Sequence, residues 1–400
     1  MSLAHGRPYL AIPGPSVVPD RVLQAMHRPS PNIYTGELVD MMDGLLADLK
    51  AVARTRHQVA LYIANGHGVW EAALANTVEE GETVLVLATG DFAIGWGHVA
   101  AGLGANVETL DFGRQSDFDL DRVAEYLAAD TARRIKAVLC VQVDTSTSIK
   151  NDIPGLRGVL DATGHPALLM VDCIASLGVD RMEMDDWGVD LVVTGSQKGL
   201  MTPPGMGFVY FNDKAAEARA GLKKPVSVYW DWVLRTRPDW FYQYFCGTAP
   251  THHLYGLREA LTMLVHEEGV EAAWARHEKL ARAIWAAFEA WETAGGLTLN
   301  IADPAKRSHA VTSARAPGVR GTELREWLEF RTGVTLGIGL GMAEPDDPVW
   351  HSYFRVGHMG HVNTHMVMGT LGAIEAGLRA LDIPHGPGAL DAAAQVVSEA

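Results

Sequence analysis

Seven short apolar runs, at 60–63, 83–87, 107–110, 137–141, 168–171, 191–193 and 207–211, constrain this chain more than any other feature. Each is too short for a helix, and helical patterns separate most of them. Short β-rich runs alternating with helices predict an α/β fold with a largely parallel sheet covered on both faces. In such sheets ligands bind beyond the carboxyl ends of the strands.

Two of those ends carry reactive groups. The run before Asp172 closes on that acid, and the loop after 191–193 reads Thr-Gly-Ser-Gln-Lys-Gly, with Lys198 at its centre. Gly195, Ser196 and Gly199 admit close approach to the backbone, while Pro203, Pro204 and Gly205 stiffen the return. A solvated loop lysine is the plain alternative. A carboxylate and a Schiff-base lysine, however, are the two protein groups that a pyridoxal phosphate enzyme must supply.

The net charge of −15 argues against nucleic acid and anionic membrane surfaces, which bind clustered Lys and Arg. An anionic ligand must therefore be held by local groups. No basic leader precedes an apolar core and no run reaches membrane-spanning length, so a soluble, cytoplasmic protein is expected. Cys140, Cys173 and Cys246 are widely spaced and form no CxxC pair, which fits a reducing compartment and no zinc site.

Residues 1–35 read as an N-terminal arm, 36–268 as a large cofactor-binding domain and 269–400 as a smaller C-terminal α+β domain. Leu38, Met42, Leu45, Leu49 and Val52 mark an amphipathic helix over 36–56. A second helical stripe joins Val270, Trp274, His277, Ala281, Ile284, Phe288 and Trp291, and the Ala-Gly-Gly at 294–296 ends it. Strand-like runs at 311–314, 334–336 and 354–356, a helix at 323–331 and a final helix through Leu381 complete the C-terminal part. The aromatic-rich segment 226–245 reads equally well as site wall or subunit interface and as plain core.

Further residues could carry chemistry. Asn65, Gly66, His67 and Gly68 open a helix after a strand, where free amides and the helix dipole suit a phosphate, although ordinary turns look similar. The glycine run at 337–341 lacks the βαβ setting of a dinucleotide site. His358, His361 and His365 have metal-like spacing, but no carboxylate or cysteine lies nearby in sequence, and no metal is expected. Arg355 interrupts an apolar stretch and needs an anionic partner if buried, either a substrate carboxylate or a structural one.

The Lys198 loop, the segment 172–178, Asn-Gly-His-Gly-Val-Trp at 65–70, Leu-Tyr-Gly-Leu-Arg-Glu-Ala-Leu at 254–261 and Phe-Arg-Val-Gly-His-Met-Gly at 354–360 together resemble the class V aminotransferases. The likeness is nearest to the alanine/serine–glyoxylate aminotransferases. It runs from Gly14 to the last helix and implies pyridoxal phosphate fold type I with a seven-stranded sheet, a smaller C-terminal domain and a homodimer with sites at its interface. Matched by motif, Lys198 would be the Schiff-base lysine and Asp172 the partner of the pyridinium nitrogen. Ile174 and Phe92 would cover the two ring faces. Asn65, Gly66 and His67 would hold the phosphate, Thr145 and Gln197 would flank the ring, and Thr248 would reach the neighbouring subunit's phosphate. Arg355 would bind the substrate carboxylate, with Tyr34 and Gly14 on the substrate side. Phe245 stands where relatives often place a tyrosine, with Tyr244 adjacent.

The implied activity is transfer of an amino group from a small amino acid such as alanine or serine to glyoxylate or pyruvate. The alternatives are a pyridoxamine–pyruvate aminotransferase, whose glutamate and extra arginine are not evident near Gly68 and Leu340, and a lyase or desulfurase. A histidine usually precedes the desulfurase lysine; here Gln197 does. A nicotinamide dehydrogenase and a catalytically silent binding protein are rivals of other classes.

Overall fold

The computed structural model describes residues 2–399. All of the apolar runs named above become strands of one seven-stranded sheet. Its spatial order is Gln58–Tyr62, Gly207–Phe211, Leu191–Gly195, Leu168–Asp172, Ile135–Val141, Thr83–Ala88 and Asn106–Asp111. Every pairing from Leu191–Gly195 across to Asn106–Asp111 is parallel. Gly207–Phe211 runs antiparallel to both neighbours. The reason is local, since the chain between Gly195 and Gly207 is too short for the crossover that a parallel return requires.

Alternation sorts the side chains to two buried faces. Leu85, Leu87, Val138, Leu169, Val171 and Val192 pack on one side. Val84, Val86, Leu139, Met170 and Val193 pack on the other. Register then fixes the site, because Asp172 pairs with Val193, just before the lysine loop leaves the same edge.

A second sheet has five strands in the order Tyr9–Ala11, Val334–Ile338, Tyr353–Gly357, Val311–Arg315 and Thr298–Leu299. It has its own core, built with Ile284, Phe288, Trp291, Phe354, Leu371 and Ile374. The helix Val270–Glu292 buries the whole stripe read from the sequence.

Three local details differ from expectation. Tyr9–Ala11, within the N-terminal arm, is a strand paired parallel to Val334–Leu336. With three residues it is too short to show a period. The helix expected over 36–56 is divided into Glu37–Asp40 and Met42–Ala53, with Met41 as the joint. A further helix, Ala389–Ser398, packs against Val270–Glu292 beyond the one expected to be last. Among the described residues no helix is long and apolar enough to cross a membrane.

Candidate active site

Asp172 ends its strand fully enclosed by protein. Its carboxylate accepts a hydrogen bond from Trp70 Nε1 at 2.8 Å and another from the Ile174 amide at 2.6 Å. Burial pushes its pKa up to about 7, although these two donors and the amine of Lys198 pull the other way. A cationic ring N–H is the kind of partner that would return it to the ionised form.

Trp70 comes from the helix Gly66–Ala75, which starts where Asn65 Oδ1 accepts from the Gly68 amide at 3.2 Å. The first-turn amides of such a helix have no carbonyl of their own to bond. A Cβ at Gly66 would sit 2.5 Å from Ile174 Cδ1, so a larger residue there would have to displace that side chain. Phe92 lies in the first turn of Asp91–Gly102, edge-on to Trp70 with ring centroids 6.4 Å apart. Its amide donates to Asp144 Oδ2 at 3.0 Å, and Asp144 also accepts from the hydroxyl and amide of Ser146. That buried carboxylate fixes the turn holding Thr145.

Asn65, Gly66, His67, Phe92, Thr145, Asp172, Ile174, Gln197 and Lys198 line one cavity of about 270 Å³. The Oε1 of Gln197 is buried without a hydrogen-bond partner among the described residues. Lys198 Nζ donates to the Pro13 carbonyl. Burial, reinforced by the charge of Arg355, lowers its pKa to about 8 against the pull of Asp172. Gly14 has φ +100°, and a side chain there would collide with the end of Lys198. The Ser16 hydroxyl donates to the Lys198 carbonyl at 2.8 Å, so the N-terminal segment buttresses the lysine loop.

An adjoining cavity of about 350 Å³ shares Phe92, Thr145 and Lys198 and adds Gly14, Arg325 and Arg355. Arg355, in the strand Tyr353–Gly357, donates from Nε to the Ile338 carbonyl at 2.7 Å and from Nη1 to the Thr145 carbonyl at 2.9 Å. Among the described residues it has no carboxylate within ion-pair distance, which removes the structural salt bridge considered from sequence. Burial brings its pKa down to about 10, with Asp144 opposing and Arg325 adding to the shift.

Other expected residues lie elsewhere in the chain. Tyr34 is 81% exposed, and Thr248 is exposed too; neither lines these cavities. Phe245 is buried in the core beside Phe241 and Tyr244. His358 is enclosed between the His309 carbonyl and the Thr312 hydroxyl, and burial lowers its pKa to about 4. Among the described residues no three metal-ligating side chains come together.

Trp70, Arg235 and Arg325 went unnoticed in the sequence. Trp70 reads as helix core, and its one signal is that a buried indole N–H needs an acceptor. Arg235 is buried and donates to the carbonyls of Leu61, Tyr229 and Tyr244, pinning the aromatic segment to the sheet edge. Arg325 sits beside Leu324 in a helix rich in charged residues and gives no signal.

A lysine amine and a buried carboxylate at the carboxyl ends of adjacent strands, facing a helix N-terminus, define an enzyme of amine chemistry on an α/β scaffold. The family described as aminotransferase class-V matches residues 8–359, and the chain belongs to it. It is an aminotransferase, and the family implies pyridoxal phosphate as cofactor. The chain is 35% identical to the serine–glyoxylate aminotransferase of Methylorubrum extorquens, covering 93% of this chain and 91% of the relative. It is 33% identical to the L-aspartate–glyoxylate aminotransferase of Paracoccus denitrificans, over 96% and 94% of the two chains. The solved alanine–glyoxylate aminotransferase of Nostoc sp. superposes with a TM-score of 0.82 at 29% identity, covering 94% of this chain and 97% of that one.

Proposed function

We propose that the protein transfers an amino group from a small amino acid to glyoxylate or pyruvate, using pyridoxal phosphate held in the cavity around Lys198. The observation that carries this reading is that two cavities share Lys198 in their walls, one with Asp172 and the other with Arg355. Glyoxylate is favoured as acceptor because each of the three relatives above carries it in its name.

Bound pyridoxal phosphate supplies an electron sink for the charge released at the substrate Cα. Lys198 serves as the covalent anchor and, once freed, as the base and acid that moves the Cα proton. Its depressed pKa supports this, because an uncharged amine is available near pH 8. Asp172, oriented by Trp70 and the Ile174 amide, holds the ring N–H. Ile174 and Phe92 confine the ring, and Asn65, Gly66 and His67 take the phosphate at the helix start. Thr145 and Gln197 flank the ring, Gln197 with its unpartnered Oε1. Arg355 grips the substrate carboxylate in the plane of its guanidinium and so aims the Cα–H bond.

In this reading residues 36–268 hold the cofactor, 269–400 bring the carboxylate binder and 1–35 join the two. The enzyme works as a cytoplasmic homodimer, with Tyr34 and Thr248 serving the site of a second copy. Support comes from the exposure of Val228, Leu234, Trp240 and Tyr242 in the aromatic segment, an apolar patch of the kind that marks interfaces. Mixing Lys198→Ala chains with Thr248→Val chains should then restore activity in hybrids. Hybrids that form but stay inactive would place each site within one chain.

The activity itself is tested by single-turnover spectroscopy of the cofactor-loaded protein against a panel of amino acids. Alanine or serine should discharge its absorption band, and borohydride followed by peptide mapping should leave the cofactor's mass on Lys198. No spectral response to any amino acid, or label on another lysine, would overturn the assignment.

A further inference from the structure

The cavity next to Lys198 is lined by two arginines, and only one is needed for a simple amino acid. Arg325, on the helix Gly321–Thr332, contributes to the wall that holds Arg355. Its Nε is buried and bonds to nothing among the described residues, and it forms no ion pair there. Glu326 and Glu329, on its own helix, act on it through space but are themselves exposed. Arg355 is satisfied in part by two backbone carbonyls, which are neutral. Asp144 and Asp91 favour its charged form from a distance. The nearer of these in effect, Asp144, already accepts from Phe92, Ala93 and Ser146. Arg325 and Arg355 repel each other across the space they share, and burial makes that repulsion costly.

An arrangement of this kind is stabilised by negative charge between the two cations. A single carboxylate has two oxygens, and one planar guanidinium can engage both. Arg355, already fixed by the Ile338 and Thr145 carbonyls, is oriented for that role. Arg325 then has its own donors left over. We propose that the pocket recognises a second anionic group, so that its preferred amino donor is a dicarboxylate of aspartate size, with Arg355 holding the carboxylate next to Cα and Arg325 the distal one. This rests on the reading of the Lys198 cavity as the transamination site, and it narrows the substrate class of that site.

The test uses the cofactor-loaded enzyme and two readouts. In the first, kcat/KM for the half-reaction is measured with aspartate, alanine and serine in wild type, Arg325→Gln and Arg325→Lys. Aspartate should lead alanine by about tenfold or more, the gain expected from one charge-assisted bidentate contact. The aspartate-to-alanine ratio should collapse toward unity in Arg325→Gln and recover in part in Arg325→Lys. In the second, calorimetry compares unreactive succinate with propionate. Succinate should bind more tightly, and Arg325→Gln should erase the difference. Equal losses on alanine and aspartate in Arg325→Gln, with an unchanged ratio, would overturn the proposal and make Arg325 a shared clamp or a structural residue. Equal affinities for succinate and propionate in wild type would overturn it as well. Arg325-dependent succinate binding in a protein that transaminates nothing would keep the anion subsite and remove the transamination reading instead.

Discussion

The two walls of the site are built on opposite principles. On the large-sheet side the key carboxylates are already engaged, Asp172 by Trp70 and Ile174, and Asp144 by Phe92, Ala93 and Ser146. On the small-sheet side Arg355 leans on two carbonyls and the buried Nε of Arg325 has no partner among the described residues. One wall is preorganised by the protein's own hydrogen bonds. The other leaves donors that a bound ligand would complete. The chemistry should therefore fail when the first wall is altered, whereas substrate choice should fail when the second is.

The sharpest break in that comparison is Lys198→Ala, which should cut turnover by about 10⁴-fold or more, the upper end for a positioned proton-transfer group. Single-turnover rates check it, with circular dichroism to show that the fold persists. Wild-type rates in this variant would remove Lys198 from the chemistry.

Asp172→Asn comes next, with an expected loss of roughly 10²–10³-fold, the usual cost of deleting one preorganised electrostatic partner. Exchange of the substrate Cα proton for deuterium reports the affected step. An unaltered exchange rate would assign the slow step to something other than ring protonation.

Arg355→Gln should lower kcat/KM for amino acids by roughly 30-fold or more, as expected for a lost buried charge pair worth about 2 kcal/mol. Amines without a carboxylate should hardly notice. The same variant should shift a pH profile. In wild type, capture of pyridoxal phosphate by the apoprotein should rise as pH passes through about 8, where the Lys198 amine loses its proton. Removing a neighbouring cation favours the protonated amine, so the midpoint in Arg355→Gln should move to higher pH. A midpoint that stays put would show that the two walls do not communicate electrostatically.

The smallest effect belongs to Trp70→Phe, which keeps an aromatic ring but removes the N–H bonded to Asp172. About 2 kcal/mol is expected for a hydrogen bond to a charged group, partly offset by adjustment of the Ile174 amide, so a rate loss near tenfold should appear in kcat. Normal kcat would mean that the Ile174 amide alone orients the carboxylate.

The first wall was largely legible in the sequence, because its residues stand at the ends of periodic runs or in contiguous turns. Lys198, Asp172 and the Asn65–His67 turn are placed by strands that can be counted off one by one. Trp70 escaped notice since its partner is remote in sequence and helix periodicity alone explains its burial. The second wall was legible only at Arg355, where a charge interrupts an apolar run. Arg325 lies among glutamates and arginines that suit a solvated face, and its approach to the cavity depends on how the helix Gly321–Thr332 seats on the small sheet. The strand Tyr9–Ala11 was hidden for another reason, in that its pairing partner comes near the other end of the chain. Thr248, expected to serve a neighbouring subunit, and Tyr34 are exposed and line neither cavity of this chain.

That strand also orders events in time. Tyr9 can pair with Val334 only after the more than 300 residues between them have been made. Gly14 and the Pro13 carbonyl, which confine the end of Lys198, follow directly on that strand and are steadied by it. A nascent chain can thus assemble the large sheet and the lysine loop while the lysine remains unconfined. Confinement of the reactive amine, a side chain of the large sheet's loop, depends on a long-range pairing made in the small sheet.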